Sequence, residues 1–252
     1  MMKIRFLGAH NTETSTSGLM CLLLDGAVAL DAGSLVSHLS LSEQLALKAV
    51  LVTHPHYDHL RDVPMLAMNC FLNAGTLHLY GSRAVKNALA LHILNGKIYS
   101  NFFDRPVMDF HVVEPDVAFT VGDLEITPVG VRHSVPSTGY QVKTEGRSFF
   151  YAGDTGPGLS KCWERISPEL LIIEVTASNR FNDFGRESKH LTPELLKEEL
   201  AAFRQIRGYI PRVVTVHMNP SLESEIAVEL KEVAIDLKCR ISLAQEGLQL
   251  DF

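Results

Sequence analysis

The sequence predicts a layered α/β fold, and three observations predict it. Short apolar runs rich in β-branched residues recur along the chain and alternate with stretches of helical period. The 252 residues are 46% hydrophobic and 21% charged, enough apolar content to bury a sizeable core. Metal-binding side chain types gather where apolar runs end, on the loops at the lip of a sheet.

Residues 4–33 read as strands at 4–8, 20–24 and 28–33, the first two joined by a polar loop over 9–17. A short helix around 42–47 precedes a strand at 50–53, within the apolar run that begins at Lys48. Residues 63–69 suit a helix, with Met65, Met68 and Phe71 at core spacing, and 76–80 suit a strand. Ser82 is placed to cap a helix running to 90. Residues 107–153 form a strand-rich block, including 124–127 and 148–153, with turns at Pro115-Asp116, Val121-Gly122-Asp123 and Glu145-Gly146. The last third alternates again: strand 170–175, helix 193–206, strand 212–217, helix 221–235, strand 239–243. No internal repeat or linker interrupts this order, so the whole chain is expected to form one domain.

The densest chemistry lies in Thr53-His54-Pro55-His56-Tyr57-Asp58-His59, directly after a buried strand. Imidazole and carboxylate together suit zinc or a similar first-row ion. One ion needs only three or four protein ligands, so this segment can begin two sites, His54 and His56 at one, Asp58 and His59 at the other. Further candidates are His133, Asp154 after a strand that runs into a Gly-Asp turn, His217 at a strand end, and His190 before an amphipathic helix. Taken singly, a histidine at a strand end is more often a surface or hydrogen-bonded residue than a ligand. The repeated construction, an apolar strand with a ligand at its end, is what a metal site at one edge of a sheet requires. Thr53 and Thr155 can orient ligands, although threonine is also simply a good strand residue. His38, His78, His92 and His111 match no ligand position.

Composition narrows the function. The formal net charge is −6 and no basic run is long, which disfavours long nucleic acid and favours a small-molecule substrate. No segment is apolar enough to span a bilayer. The N-terminus reads as a first strand rather than a signal peptide. The four cysteines, Cys21, Cys70, Cys162 and Cys239, are scattered without a Cys-x-x-Cys pair, as in a reduced cytoplasmic protein.

The His-x-His-x-Asp-His stretch, Gly153-Asp154-Thr155 and the distant histidines resemble the metallo-β-lactamase superfamily of hydrolases across almost the whole chain. That resemblance implies a four-layer αββα sandwich, with Asp31 in the Asp-x-Gly turn (Asp31-Ala32-Gly33) supporting the ligands. It implies two divalent metal ions, zinc foremost, with manganese or iron(II) as alternatives. His54, His56 and His133 would bind one and Asp58, His59 and His217 the other, with Asp154 bridging. Residues 91–102 and the segment His190-Leu191-Thr192-Pro193 resemble the class II cyclic-nucleotide phosphodiesterases more narrowly. Ser100-Asn101 and Asn219 depart from that pattern, the latter replacing a lysine.

The function implied is hydrolysis of 3′,5′-cyclic AMP or GMP to the 5′-nucleotide by a metal-bridging hydroxide. His190 and Asp58 would be the catalytic residues and a homodimer the expected assembly. Asn95 and Tyr99 are candidates to line a base pocket, in a segment that can equally be a covering or dimer-forming hairpin. The alternatives are a tRNA 3′-processing-type endonuclease, a lactone or thioester hydrolase on the same fold, and a metal-binding scaffold without catalysis.

Overall fold

In the computed structural model, which describes residues 2–252, fourteen strands form two sheets of seven. The first half of the chain supplies β1 (Lys3–Gly8), β2 (Cys21–Leu24), β3 (Val28–Leu30), β4 (Ala49–Val52), β5 (Leu77–Gly81) and β6 (Met108–Val112). Between them run α1 (Leu35–His38), α2 (Leu41–Leu45), α3 (Tyr57–Leu60), α4 (Val63–Leu72) and α5 (Arg83–Ala88), the last continuing into a π-helical turn at Leu89–Ile93. The second half supplies β7 (Phe119–Val121), β8 (Leu124–Val131), β9 (Ser137–Thr144), β10 (Arg147–Tyr151), β11 (Leu170–Glu174), β12 (Arg212–Val216) and β13 (Ile241–Leu243). Its helices are α6 (Ser160–Trp163), α7 (Asn182–Ser188), α8 (Pro193–Arg207) and α9 (Glu223–Leu237), and β14 (Gln249–Asp251) follows.

The first sheet has the order β14-β1-β2-β3-β4-β5-β6 and the second β13-β12-β11-β10-β9-β8-β7. Each is antiparallel in one half and parallel in the other. The parallel strands are apolar on both faces because helices cover one and the other sheet covers the second. In β4, Leu51 packs between the sheets, while Val50 and Val52 pack under the helices of the first half. In β11, Ile172 faces the other sheet, while Leu171 and Ile173 meet Leu195, Leu200 and Phe203 of α8. Three apolar layers thus separate four layers of structure, the αββα sandwich expected. Each fully buried aliphatic side chain in such a layer contributes about 1.5–3 kcal/mol.

The cap expected at Ser82 is present, and a second, at Thr192, is seen in the structure. The Ser82 hydroxyl accepts from Val85 N at the start of α5. Thr192 does the same for Leu195 N, with Pro193 opening α8 and left-handed Gly208 closing it. Other expectations need correction. The block 107–153 divides, since β6 pairs with β5 in the first sheet and the rest belongs to the second. The strand expected at 124–127 runs on to Val131 through Pro128. Proline is tolerated there because β7 pairs no further along β8 than Phe119 opposite Ile126, leaving no ladder donor to lose on that side. Beyond 239–243 the chain crosses back, and β14 pairs with β1, Leu250 opposite Ile4. Met65 and Phe71 are exposed at 46% and 43%, so they lie on the outer side of α4 and not in the core.

Candidate metal centre

The expected ligands converge from four chain segments, those that follow β4, β8, β10 and β12. The segment after β4 is only partly a loop: Asp58 and His59 occupy the first turn of α3, with His56 at its N-cap. That turn lets four donors within six residues face in two directions. Gly33 makes it possible, because a Cβ there would stand 2.1 Å from the Asp58 carbonyl oxygen. The Asp-x-Gly turn after β3 is therefore pressed directly against α3.

Two donor groups result, His54, His56, His133 and Asp154 in one, Asp58, His59, His217 and Asp154 in the other. In the first, His56 Nδ1 is 3.2 Å from His133 Nε2, and Asp154 Oδ2 is 3.6 Å from His54 Nε2. In the second, Asp58 Oδ2 is 3.1 Å from His217 Nε2 and 3.5 Å from His59 Nε2. Asp154 joins the groups, with Oδ1 at 3.1 Å from His59 Nε2 and Oδ2 at 3.3 Å from His217 Nε2. Two donors about 2.0–2.1 Å from one tetrahedral ion stand about 3.3 Å apart, so these spacings are those of shared coordination. His54 Nε2, His59 Nε2 and Asp154 Oδ1 are buried and make no hydrogen bond. Orphaned buried acceptors facing one another are costly unless a cation lies between them. The clusters fit a binuclear divalent metal site.

Electrostatics agree. Burial holds His54 well below its ordinary pKa, reinforced by the neighbouring imidazoles, and burial likewise lowers His56 and His133. These three therefore present lone pairs. Burial works against the Asp154 and Asp58 carboxylates, yet the surrounding histidines hold both well below the usual range. Burial also opposes charge on His59, but Asp154 and Asp31 push it up, so its Nε2 proton is the one a cation beside Asp154 would displace.

The remaining ring nitrogens fix the tautomers. Thr53 Oγ1 lies 2.9 Å from His54 Nδ1 and donates to Asp31, whose Oδ2 is 2.7 Å from His59 Nδ1. Tyr151 donates its hydroxyl to the same Oδ2. In the other half of the molecule, Thr176 Oγ1 lies 2.8 Å from His217 Nδ1 and donates to Glu174 Oε2. His133 Nδ1 lies 3.1 Å from the Lys189 carbonyl oxygen. Each of these four rings thus donates from Nδ1 and turns a bare Nε2 to the centre. Asp31 and Thr53 thus hydrogen-bond the candidate donors His59 and His54 respectively. Thr155 gives its backbone N–H to Glu174.

His190 stands beside both groups, and its ring lies with Glu174, Asp154 and His217 in a third cluster whose donor atoms are within 4.8 Å of one another. Its Nδ1 is 2.7 Å from Glu174 Oε1, and its ring stacks on His217 at 5.5 Å, with His133 at 4.9 Å. It opens onto a cavity of about 430 Å³ whose lining includes Asn11, Thr176, Phe181, Phe184, Asn219 and Leu222. Asn95 and Tyr99 are elsewhere: Asn95 Oδ1 accepts from Lys97 and Ile98 N–H, and the Tyr99 hydroxyl donates to Met65 Sδ. Sequence reasoning missed Glu174, Thr176, Phe181 and Phe184. A carboxylate inside Leu-Leu-Ile-Ile-Glu was the available signal, since a glutamate is almost never fully buried without partners. Two phenylalanines in a polar Asn/Arg/Ser-rich segment carried no periodicity to find.

The family model described as the β-lactamase superfamily domain matches residues 28–218. Among solved structures, unliganded yeast PDE1 superposes with a TM-score of 0.86 at 17% identity, covering 100% of this chain and 99% of that one. The metallo-β-lactamase fold protein YhfI from Bacillus subtilis gives 0.81 at 18%, covering 100% of both chains. Ribonuclease Z of Methanopyrus kandleri is 26% identical over 149 residues, 56% of this chain and 50% of that protein. The curated relatives it matches are aligned over only a fifth to half of their own length.

Proposed function

The chain belongs to the β-lactamase superfamily, and from that premise we propose that it is a binuclear metal-dependent phosphodiesterase that opens 3′,5′-cyclic nucleotides to 5′-nucleotides. The observation that carries this reading is the placement of His190, hydrogen-bonded to buried Glu174 and lining a cavity of nucleoside size beside the two donor groups; in this reading it is not a metal ligand. Cavities of about 300–1,000 Å³ are the usual size of small-molecule sites.

His54, His56 and His133 would hold one divalent cation and Asp58, His59 and His217 the second, with Asp154 shared. Two cations bound there supply Lewis acidity toward phosphate oxygens and an acidified water. Zinc suits the donors, and manganese or iron(II) would accept them too. His190 manages the proton. Burial opposes charge on its ring, but Glu174 first, then Asp154 and Asp58, push it up to about 9. With Nδ1–H donated to Glu174, the Nε2 proton is the one available to the departing 3′ oxygen. Cations beside Asp154 and Asp58 would offset those two carboxylates, leaving Glu174 as the partner that keeps His190 protonated. In the cavity, Phe181 and Phe184 offer aromatic faces to a base, and Asn11 Oδ1 is a buried acceptor with no partner in the protein. That acceptor suits an exocyclic amine.

The test is a product assay on zinc- or manganese-loaded protein with cyclic AMP and cyclic GMP, beside His190→Ala and Asp154→Ala. The wild type forms the 5′-nucleotide. His190→Ala loses about 10²–10⁴-fold in turnover while keeping two metals per chain, the worth of a general acid. No 5′-nucleotide from either substrate, with two metals bound, overturns the proposal. The ribonuclease Z relatives favour a second reading, an RNA endonuclease. Faster cleavage of precursor tRNA than of cyclic nucleotide in the same assay would establish it, against the expectation from a net charge of −6.

A further inference from the structure

We propose that His78, Asp109 and His111 form a third divalent-metal site, separate from the centre and independent of the reaction it performs. The parallel register of β5 and β6 sets His78 opposite Asp109 and Tyr80 opposite His111. Side chains two residues apart share a face of a strand, so the three donors rise from adjacent strands on one face of the sheet. Their donor atoms lie within 4.8 Å of one another. Asp109 Oδ2 is 3.2 Å from His78 Nδ1 and 3.0 Å from His111 Nε2. Those are again the spacings of donors on one tetrahedral ion, about 3.3 Å.

Two features point to a ligand and not to a surface ion pair. His111 Nε2 is buried and makes no hydrogen bond, although its ring edge faces the carboxylate. The His111 ring is also held in place, stacked on Tyr80 at 4.4 Å, while Tyr80 stacks on Phe119 of β7 at 4.9 Å. A donor oriented in this way loses little freedom on binding an ion. His111 borders a cleft of about 310 Å³ whose lining includes Tyr80, Glu114, Val117 and Phe119, with space for the waters that complete a three-ligand site. Two imidazoles and one carboxylate suit zinc, and copper(II) and nickel(II) more tightly than manganese. The site sits away from the centre: Gly81, at the C-terminal end of β5, is level with Val52, and His78 lies three residues back along the strand. An ion there would tie the edge strand β6 to β5, and through the Tyr80–Phe119 stack would brace the opening between the two sheets.

The probe is zinc itself, added to chelator-stripped protein at micromolar free concentration and counted by elemental analysis. The wild type binds one equivalent more than His78→Ala/His111→Ala, whatever the metal centre holds, so the comparison does not depend on the proposed function. All three side chains are partly exposed, at 42%, 52% and 38%, and the double variant should fold. A second readout needs no variant: long-range ¹H–¹⁵N correlation of the wild-type imidazoles, in which zinc should shift His78 Nδ1 and His111 Nε2. Equal zinc content in wild type and variant overturns the proposal. So do imidazole signals of His78 and His111 that stay in place, or occupancy reached only at millimolar zinc.

Discussion

Asp31→Asn is the substitution that most directly tests how the centre is held. The Asp31 carboxylate is fully buried and accepts from Thr53 N at 2.8 Å, Thr53 Oγ1 at 3.0 Å, His59 Nδ1 at 2.7 Å and the Tyr151 hydroxyl at 2.7 Å. Asparagine keeps the volume and tolerates the left-handed φ of +60° found there, so backbone strain is not added. What changes is charge and acceptor count. If the new amide nitrogen takes the Oδ2 position, it confronts the His59 and Tyr151 donors. If it takes the Oδ1 position, it confronts Thr53 N. Hydrogen bonds to a charged group are each worth about 1.5–3 kcal/mol, so folding stability should fall by about 3 kcal/mol. His59 also loses the carboxylate that sets its tautomer, and changes of this kind cost about 10–100-fold in metal affinity. Urea denaturation measures the first effect, and zinc competition with a chromophoric chelator the second. A variant with the wild-type midpoint and the wild-type zinc affinity would refute the role given to Asp31.

Three further outcomes follow from the same geometry. Stripping the metals should lower the Tm, and restoring zinc at about 100 times its Kd should return about 2.7 kcal/mol; a Tm indifferent to chelation would count against the orphaned donors being ligands. Gly153→Ala should weaken zinc binding and lower Tm together, since Gly153 has φ +62° and a Cβ there would stand 2.8–3.0 Å from Thr53 side-chain atoms; an unchanged Tm would sink that account. Glu246 accepts from His10 Nδ1 and from Gly18 N, and although burial opposes its charge these bonds lower it from 4.5 to about 2, while Glu246 and Glu223 outweigh burial to raise His10 above 6.5. The carboxylate's contribution is present above 4.5 and lost as pH falls toward 2, and the imidazole's is complete below 6.5 and lost as pH rises through its raised value. The stability difference between wild type and Glu246→Gln, about 1 kcal/mol for a pair partly open to water, should therefore peak between pH 4.5 and 6.5, and a difference flat from pH 3 to 9 would refute the pairing.

What the sequence made legible is what local chemistry dictates. The run His54 to His59 announced itself by density, and the strands beneath it by β-branched residues buried on both faces. The order of elements followed from period and from a cap, as at Ser82. What it hid depends on partners distant in the chain. Glu174 lies inside an apolar strand, and its use is visible only once Thr176, His190 and the Leu191 N–H are seen around it. His10 reads as loop polarity, yet it is buried between Glu223 and Glu246. The adjacent Ala9 carbonyl accepts from the N–H of His217, a candidate donor. The Leu91 to Phe103 segment admitted two readings, a base pocket and a covering or dimer-forming hairpin. Its Asn95 and Tyr99 make bonds within the first half of the molecule and do not line the cavity beside His190.

The two halves of the molecule solve the same problem in the same way. In one, His54 leans on Thr53, which donates to Asp31; in the other, His217 leans on Thr176, which donates to Glu174. A hydroxyl has one proton to give. Once that proton goes to a buried carboxylate, the hydroxyl can only accept from the imidazole, and the ring must carry its hydrogen on Nδ1. The bare Nε2 is thus dictated two bonds away from the donor cluster, by a buried carboxylate. The arrangement is bought with backbone strain, because Asp31 and His217 sit at φ +60° and +64°, each costing about 1–2 kcal/mol. Strands β3, β4, β11 and β12, nearly all of whose residues are buried, hold those turns in place. A loop without such a floor would relax out of the left-handed region and release the ligand. This is why the donors stand where strands end, and why the apolar strands beneath the centre matter to its chemistry as much as the histidines above them.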